Sequence, residues 1–366
     1  GKYQENIANP ETGVRRLIPD YEKTDVSFYG IWNTTFNDKL KGDFGVRYDY
    51  NFIDAQKYYI TSRWEERGYN VDFSDFIVDN LGTQLLTNPT FSYHNISLSV
   101  GFVYSINKNN GLIFNYGLSS RPPNPSELFS DGLHHSAARI ELGDLRLTKE
   151  MSNRVGLSYQ LESNKTTLNI DTFINQINDF IYLKPTGTQS TIRGAFPVWE
   201  YFKTNALLIG IDTSFDYQFT EYWSLNSKFS YVYGQNTKED IPLIDIPAFK
   251  LNNALNYKLK KWNQLNIRLA HEWVGKQNRY PNYNFETYIP TTEEYLEVDI
   301  STPPNAFQLI HLYGDVTFLF NEKMNLNLML GVTNLFDTNY REYLNRLRYY
   351  ADDTGRNITI QIKFNY

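Results

Sequence analysis

The sequence predicts an all-β chain and, among all-β folds, a transmembrane antiparallel β-barrel. Three observations lead to this prediction. Hydrophobicity alternates with a period of two along the chain, short and long connections follow each other in turn, and Tyr, Phe and Trp make up 16% of the 366 residues. Alternation places one face of a strand in an apolar medium and the other in a wet one. Aromatic belts are typical of membrane interfaces.

Segment 40–52 shows the alternation most clearly. Its even positions are apolar, aromatic or glycine, and its odd positions are charged, polar or glycine. Segments 95–106 and 357–366 repeat the pattern, and a helical period of about 3.6 residues is not convincing anywhere. The chain is therefore predicted to consist of strands.

Thirteen strands are predicted, joined by links that alternate between short and long. The strands lie at about 24–36, 40–52, 91–106, 111–121, 150–162, 165–183, 200–219, 223–238, 249–259, 263–276, 306–320, 324–338 and 355–366. The long loops run about 53–90, 122–149, 184–199, 239–248, 277–305 and 339–354. Outer-membrane barrels have tight turns on the periplasmic side and long loops outside. We therefore expect all the long loops to be extracellular.

Composition excludes several other classes of protein. The chain has no cysteine, which removes thiolate sites for structural zinc or iron–sulfur clusters. Its net charge of −6 argues against a nucleic-acid partner, which requires a cationic footprint. No apolar run approaches the roughly 20 residues of a spanning helix. The sequence also lacks the common hydrolase motifs and a Gly-rich phosphate loop, so we predict neither an enzyme nor a resident cofactor.

An odd number of strands predicts that the chain is part of a larger barrel. Single-chain bacterial barrels usually have an even number of strands, with both ends in the periplasm. The predicted direction places the beginning of strand 24–36 outside and the end of strand 355–366 in the periplasm. The alternative is a passive porin-like channel of 14 strands, which would require one more strand within residues 1–20.

Three ordered motifs carry a resemblance to a known family. The first is Gly331-Val332-Thr333-Asn334-Leu335-Phe336-Asp337, followed by Tyr340 and by Gly355-Arg356 before the last strand. The second is Arg121-Pro122-Pro123-Asn124-Pro125-Ser126-Glu127-Leu128, followed by Gly143-Asp144-Leu145, Leu147, Glu150 and Ser152. The third is segment 171–181. Together they resemble TonB-dependent outer-membrane receptors over residues 20–366, with Thr354 where the family commonly has proline.

The resemblance implies a fold, a function and partners. It implies a 22-stranded barrel, of which residues 1–366 supply about 13 strands as the C-terminal portion, with the N-terminal plug outside the chain. The expected function is import of a scarce nutrient across the bacterial outer membrane, energised by the TonB complex of the inner membrane. An iron chelate such as a siderophore is the first expectation for the cargo, followed by haem or another metal. A sugar, a peptide or zinc is the alternative.

The loop from Ser126 to Asp144 contains the most suggestive chemistry. It carries His134 and His135, followed by Arg139 and Glu141. Imidazoles with a carboxylate could bind a metal or haem, and the cation could hold an anionic chelate. Adjacent side chains on an extended segment point in opposite directions, however, so His134 and His135 rarely share one metal. Whether a metal binds here stays open, and a loop packed by its own polar residues is the simpler interpretation.

Two further loops combine aromatic and charged side chains. The candidates for ligand contact are Trp64 and Tyr69 in the first long loop, and Arg279, Tyr280 and Tyr283 in the fifth. Stacking aromatics beside arginines suit a planar chelate or a sugar. Loop packing or a partner at the cell surface, such as a lipoprotein, explains them equally well.

The last strand ends with Ile362, Phe364 and Tyr366 on the apolar register. The family resemblance implies that this end is recognised by the barrel-assembly machinery. A strand that simply faces outer-membrane lipids would show the same pattern.

Overall fold

A computed structural model describes residues 2–4, 17–191, 194–259, 261–289, 292–321 and 324–366. Residue 260 and residues 322–323, which belong to two predicted short turns, and most of residues 1–20, where the porin alternative requires a strand, lie outside these ranges. Across the described chain, no helix is long and apolar enough to cross a membrane.

Within these ranges the chain forms 21 strands and three short α-helices. The strands are β1 (Lys2–Gln4), β2 (Asp20–Asn37), β3 (Leu40–Ile60), β4 (Ile77–Asn80), β5 (Gln84–Thr87), β6 (Thr90–Ser105), β7 (Asn110–Arg121), β8 (Asp131–His134), β9 (Arg139–Leu142), β10 (Glu150–Glu162), β11 (Thr166–Thr191), β12 (Gly194–Gln218), β13 (Trp223–Asn236), β14 (Ile241–Pro242), β15 (Lys250–Leu259), β16 (Leu265–Val274), β17 (Phe285–Ile289), β18 (Glu294–Val298), β19 (Phe307–Leu319), β20 (Asn325–Thr333) and β21 (Asn357–Asn365). The helices are α1 (Thr61–Glu66), α2 (Tyr69–Asp72) and α3 (Pro125–Phe129), and 3₁₀ turns form at Ser74–Phe76 and His135–Ala137.

Thirteen of the strands form one continuous antiparallel wall. Its order is β2-β3-β6-β7-β10-β11-β12-β13-β15-β16-β19-β20-β21, and each strand pairs with the next. All thirteen predicted strands are present, so the prediction of a transmembrane-type antiparallel sheet is confirmed. Among the described residues no pairing joins β21 to β1 or β2, and the wall is open.

The two faces of the wall differ in chemistry. One apolar row runs across five strands in direct register, through Val100, Tyr116, Val155, Ile174 and Ile209. Val155, Ile174 and Ile209 are between 39% and 54% exposed, although they are large hydrophobic residues in regular strands. A continuous exposed apolar surface of this kind is costly in water and favourable against lipid.

The opposite face is polar and includes Asp171 and Asp212, directly opposite each other, with Lys228 and Lys250 on the following strands. The wall can therefore separate hydrocarbon from a wet interior.

The predicted loop at 184–199 is wrong over its described residues, because β11 continues to Thr191 and β12 begins at Gly194. Residues 192–193 of this predicted loop lie outside the described ranges. β11 and β12 have 26 and 25 residues, whereas a tilted strand needs about 9–11 to cross a bilayer. Their outer halves form a hairpin that rises above the wall, with register shifts near Ile177 and Pro185. A segment that has left the membrane needs no apolar face, and this removes the alternation that a sequence pattern detects.

Candidate functional site

The first and second long loops form one packed body, which we call the first loop unit (residues 61–89 and 122–149). Trp64 and Tyr69 lie at its centre, 0% and 1% exposed, with ring centroids 5.2 Å apart. Leu128 and Phe129 of the second loop belong to the same core. The same core includes Ile53 and Tyr59 of β3, so the unit is a packed body anchored on the wall.

Tyr69 also joins the two loops through hydrogen bonds. Its hydroxyl donates to Asp144 Oδ1 at 3.0 Å and accepts from the Leu145 N–H at 3.1 Å. Burial raises the pKa of Tyr69 to about 12, so the phenol is neutral at physiological pH. Trp64 and Tyr69 thus have a packing role in this structure, and ligand contact by them stays a prediction.

His134, Arg139 and Glu141 come together as the sequence suggested. His134 Nδ1 lies 2.9 Å from Glu141 Oε1, and Arg139 Nε donates to the same oxygen at 2.8 Å. Burial alone would raise the pKa of Glu141, but the hydrogen bond from His134 and the charge of Arg139 outweigh burial and hold this pKa below its usual value. The Glu141 carboxylate is already engaged by two partners, so its negative charge is largely compensated.

The neighbouring histidine has a different environment. His135 is exposed and begins the 3₁₀ turn His135–Ala137, whereas His134 is partly buried. Among the described residues no group of three or more His, Asp or Glu side chains could hold a metal ion. Arg139 and Glu141 are buried and paired with each other, and direct capture of a bare metal finds no support in the geometry of the loop. Ligand contact by His134, His135, Arg139 and Glu141 stays a prediction.

The fourth, fifth and sixth long loops form a second packed body, which we call the second loop unit (described residues 239–248, 277–289, 292–305 and 339–354). Gln277 Nε2 donates to the Ile246 carbonyl at 2.9 Å. The Tyr349 hydroxyl donates to the Ile300 carbonyl at 2.9 Å. These two contacts join the fourth loop to the fifth and the fifth to the sixth.

The predicted residues of the fifth loop lie in this unit but not in one cluster. The Arg279 guanidinium lies 4.1 Å from the Tyr233 ring centroid and donates to Gln235 Oε1 at 2.7 Å. Tyr283 hydrogen-bonds to Tyr182 on β11, and burial raises the pKa of Tyr283.

Tyr280 is partly buried. Ligand contact by Arg279, Tyr280 and Tyr283 stays a prediction.

The sixth loop is braced by the two adjacent acids near its end. Arg341 Nε donates to Asp352 Oδ1 at 2.6 Å. Asp353 Oδ2 accepts from the Glu342 N–H at 2.7 Å, and Asp353 Oδ1 accepts from Asn345 Nδ2 at 2.7 Å. The loop that carries Arg346 to Tyr350 is therefore held in a defined conformation.

A pocket of about 170 Å³ lies where the two loop units meet, and we call it the seam pocket. The first unit contributes Ala137 and Arg139, and β12 contributes Pro197 and Trp199. The second unit contributes the remaining lining residues: Asp245, Leu344, Arg346, Arg348, Tyr349 and Tyr350. Three arginines face one aspartate here, so the pocket is cationic.

Aromatic rings form the walls of the seam pocket and orient its arginines. The Arg139 guanidinium lies 4.7 Å from the ring centroid of Trp199, which is 3% exposed. The Arg348 guanidinium lies 4.4 Å and 4.7 Å from the ring centroids of Tyr343 and Tyr349. Cation–π contacts of this kind stabilise a desolvated guanidinium without neutralising its charge.

Sequence reasoning selected Arg139 but missed the rest of the seam pocket. Segment 346–350 reads Arg-Leu-Arg-Tyr-Tyr, which is the same combination of arginine and aromatic residues that drew attention to segment 279–285. The composition of segment 346–350 was therefore visible in the sequence. Its contact with residues 137–139 was not, because that contact depends on how two distant loops fold over the wall.

The last strand lies at the edge of the wall. Ile362 and Phe364 are 68% and 49% exposed, on the same face as the strand's other isoleucines, and Tyr366 is 95% exposed. Phe364 and Tyr366 stack with centroids 6.2 Å apart. This exposed apolar face is compatible with contact with lipid, and its role in assembly stays a prediction.

Comparison with known proteins identifies the family. The model of the TonB dependent receptor-like β-barrel matches residues 2–335. The chain belongs to the TonB-dependent receptor-like β-barrel family. This family of receptors and transporters, which are not enzymes, lies in the bacterial outer membrane, and the long loops are predicted to be extracellular.

Solved structures of TonB-dependent receptors share the fold at low identity. The copper transporter OprC is 17% identical, with a TM-score of 0.72, and the match covers 95% of this chain and 48% of that one. The ferric-catecholate import receptor Fiu from E. coli K12 is 14% identical, with a TM-score of 0.63, covering 95% and 45%. The Serratia marcescens hemophore receptor HasR, solved with its hemophore HasA and haem, is 13% identical, with a TM-score of 0.62, covering 96% and 52%.

The chain thus spans about half the length of these TonB-dependent receptors. A search of curated proteins gave no match.

Proposed function

We propose that the protein is an outer-membrane receptor that captures a scarce nutrient at its loop units and imports it with energy from the TonB complex of the inner membrane. The observation that carries the proposal is the combination of a lipid-compatible wall with two folded loop units above one end. A passive pore needs an open path for its solute, whereas a receptor needs a folded surface that can bind its cargo. The packed loops and the cationic seam pocket between the units supply such a surface.

An iron chelate such as a siderophore is the first candidate for the cargo, and haem or another complexed metal is the second. The described loops contain arginines and aromatic rings but no three-ligand metal group. Those side chains suit a metal that arrives inside an organic ligand better than a bare ion. A neutral sugar could stack on the aromatic rings but has no charge to pair with the arginines, so it ranks below an anionic chelate.

Uptake by living cells tests the proposal. A strain lacking its other iron receptors would express the protein and receive radiolabelled ferric siderophores or haem, one at a time. We expect uptake of at least one chelate, lost when TonB is deleted and lost when the sixth loop, residues 339–354, is replaced by a short Gly-Ser linker. Heat-modifiable mobility on SDS gels would verify that each barrel remains folded.

A conductance measurement separates this proposal from the porin alternative. In planar bilayers a porin gives a large, constant conductance, and its solute uptake does not depend on TonB. Finding both properties in this protein would exclude the receptor function.

We further propose that the end of β21 is a signal for the barrel-assembly machinery. The apolar register of Ile362, Phe364 and Tyr366 at a free strand edge supports this role. Deleting Tyr366 should slow assembly in cells, while Lys363→Gln on the opposite register should not. Equal assembly rates for the two variants would exclude the signal.

A further inference from the structure

The seam pocket contains an arginine that is both buried and incompletely bonded. Arg348 is 6% exposed. One of its terminal nitrogens donates to the Tyr343 carbonyl and lies 3.5 Å from Asp245 Oδ1, and the other donates to the Tyr349 hydroxyl at 2.6 Å. Its Nε has no hydrogen-bond partner. A buried donor on a cation without an acceptor is costly, and an oxyanion beside the guanidinium would compensate its charge.

The surroundings of Arg348 add to the positive potential. Arg346 is exposed at the same pocket and forms no ion pair among the described residues. Arg139 lies on the opposite side, with its charge shared with Glu141. The carboxylate closest to Arg348 is Asp245, which is 46% exposed and so is screened by solvent. The lining of the pocket thus retains net positive charge beside Arg348.

The size and walls of the pocket limit what can enter. A volume of about 170 Å³ is below the roughly 300–1,000 Å³ of a site that encloses a whole drug-sized ligand. Trp199, Tyr349 and Tyr350 supply flat apolar walls. The volume and the flat walls together fit a single aromatic ring that carries one anionic substituent.

We infer that the seam pocket is an oxyanion subsite, which takes a single aromatic ring bearing a carboxylate or phosphate group at Arg346 and Arg348. The inference rests on the proposed function, because the ring would be one arm of the imported cargo. An aryl group of the cargo that is bound in the seam pocket contacts both loop units. Its binding would therefore also stabilise the contact between the two units. The Tyr350 hydroxyl already approaches the Ala138 carbonyl across the seam, at 3.5 Å.

Small probes test the subsite without requiring the cargo. The protein, purified from outer membranes in mild detergent, would be titrated calorimetrically with phenyl phosphate, benzoate, inorganic phosphate and neutral benzyl alcohol. We expect saturable binding of the two aryl anions that weakens with added salt, weaker binding of inorganic phosphate, and no measurable binding of benzyl alcohol. Equal binding of benzyl alcohol and phenyl phosphate would overturn the inference.

Variants locate the binding. Arg346→Gln, at an exposed position where folding is not at risk, should weaken aryl-anion affinity about tenfold, and Arg348→Gln should weaken it at least that much. Arg348→Lys keeps the positive charge but not the forked geometry of the guanidinium. Its affinity for the aryl anions should therefore lie between that of Arg348→Gln and that of the unmodified protein. Arg146→Gln is the matched control, because Arg146 stacks on Tyr69 in the first loop unit and does not line the seam pocket. Unchanged affinity in Arg346→Gln and Arg348→Lys would overturn the assignment even if Arg348→Gln failed to fold.

Uptake assays distinguish the two proposals. Aryl-anion binding that depends on Arg346, in a protein that imports no chelate, would support the subsite and contradict the import function. Chelate import that is unaffected by Arg346→Gln would support import and contradict the subsite.

Discussion

Arg121 Nε donates a hydrogen bond to Glu150 Oε2 at 2.7 Å, linking the end of β7 to the start of β10. The same guanidinium donates to Glu127 Oε2 at 2.9 Å. Glu127 in turn accepts from the Asn124 N–H at the start of α3. Arg121, Glu127 and Glu150, which all belong to the second family motif, thus form one hydrogen-bonded cluster. This cluster fixes the second long loop on the wall.

Replacing Arg121 should destabilise this junction. The side chains of Glu127 and Glu150 are 12% and 13% exposed, and Arg121→Ala leaves both carboxylates without their shared cation. Because Arg121 itself is 40% exposed, water compensates in part, and we expect a loss of about 1–3 kcal/mol. The measurement is the temperature at which the folded barrel loses its fast mobility on SDS gels.

Arg121→Lys is the matched control. Lysine keeps the positive charge but cannot present two parallel N–H groups to two carboxylates, so we expect an intermediate effect. A lysine variant as unstable as the alanine variant would show that geometry matters more than charge. Full stability of Arg121→Ala would contradict the role of the cluster.

Trp64→Ala should open the first loop unit while the wall stays folded. Trp64 is 0% exposed at the centre of the unit's core, and removing such a side chain costs about 3–5 kcal/mol. We expect rapid proteolysis within residues 61–89 and nearly unchanged heat-modifiable mobility. Trp262→Ala serves as the control, because Trp262 is 69% exposed in a turn. If Trp64→Ala lost cargo binding and stayed resistant to protease, Trp64 would be a ligand contact rather than a core residue.

The loop between β8 and β9 should loosen in acid. The pKa of Glu141 is held below its usual 4.5 because the bond from His134 and the charge of Arg139 outweigh burial. A depressed carboxyl pKa adds stability that is fully present above pH 4.5 and is lost as the pH falls through the lower, folded value. Hydrogen exchange of residues 131–142, corrected for the chemical exchange rate, should therefore stay slow at neutral pH and accelerate below about pH 4.5.

Glu141→Gln provides the comparison for this pH profile. The variant lacks the carboxylate, so residues 131–142 should exchange faster at pH 7 and show little acceleration between pH 5 and pH 3. Loss of protection in the unmodified protein already near pH 6 would assign the transition to another group.

The wall could be predicted from the sequence because the membrane imposes a pattern on it. Segment 40–52 alternates because one face must meet lipid, and β3 begins at Leu40 as expected. The same strand continues to Ile60, and β11 continues to Thr191, in stretches where the pattern fades. Above the membrane neither face of these strands meets lipid. In the upper half of β3 the buried positions are the odd ones, such as Ile53 and Ala55, which pack against the first loop unit. The lipid-facing register of segment 40–52 therefore does not continue there.

The candidate site could be predicted only in parts. His134, Arg139 and Glu141 are close in sequence, and their contact follows from a short β8–β9 hairpin. The seam pocket instead joins Arg139 to Arg348, more than 200 positions later, through the folding of two separate loop units. Single-sequence patterns report the chemistry of each segment but not which segments meet.

The Asn334-Leu335-Phe336-Asp337 motif forms the turn that ends β20. Asn334 and Asp337 both have left-handed backbones, with φ of 49° and 57°. Asn334 Oδ1 accepts from the Thr338 N–H at 2.9 Å, and Asp337 Oδ1 accepts from the Arg356 N–H at 2.7 Å. The motif therefore fixes the position at which the last strand, β21, begins.

Asp337→Ala should loosen this last strand, and Asp337→Asn should not. Alanine loses the acceptor for the Arg356 N–H and adopts φ near 57° poorly, which together cost about 1–3 kcal/mol. Asparagine keeps an acceptor oxygen and tolerates the left-handed region; it loses an ion pair 3.8 Å long between half-exposed groups, worth about 0–1 kcal/mol. Hydrogen exchange over residues 357–365 should accelerate in the alanine variant alone. If both variants exchanged equally fast, the charge of Asp337 would hold the strand, and the hydrogen bond to the Arg356 backbone would be secondary.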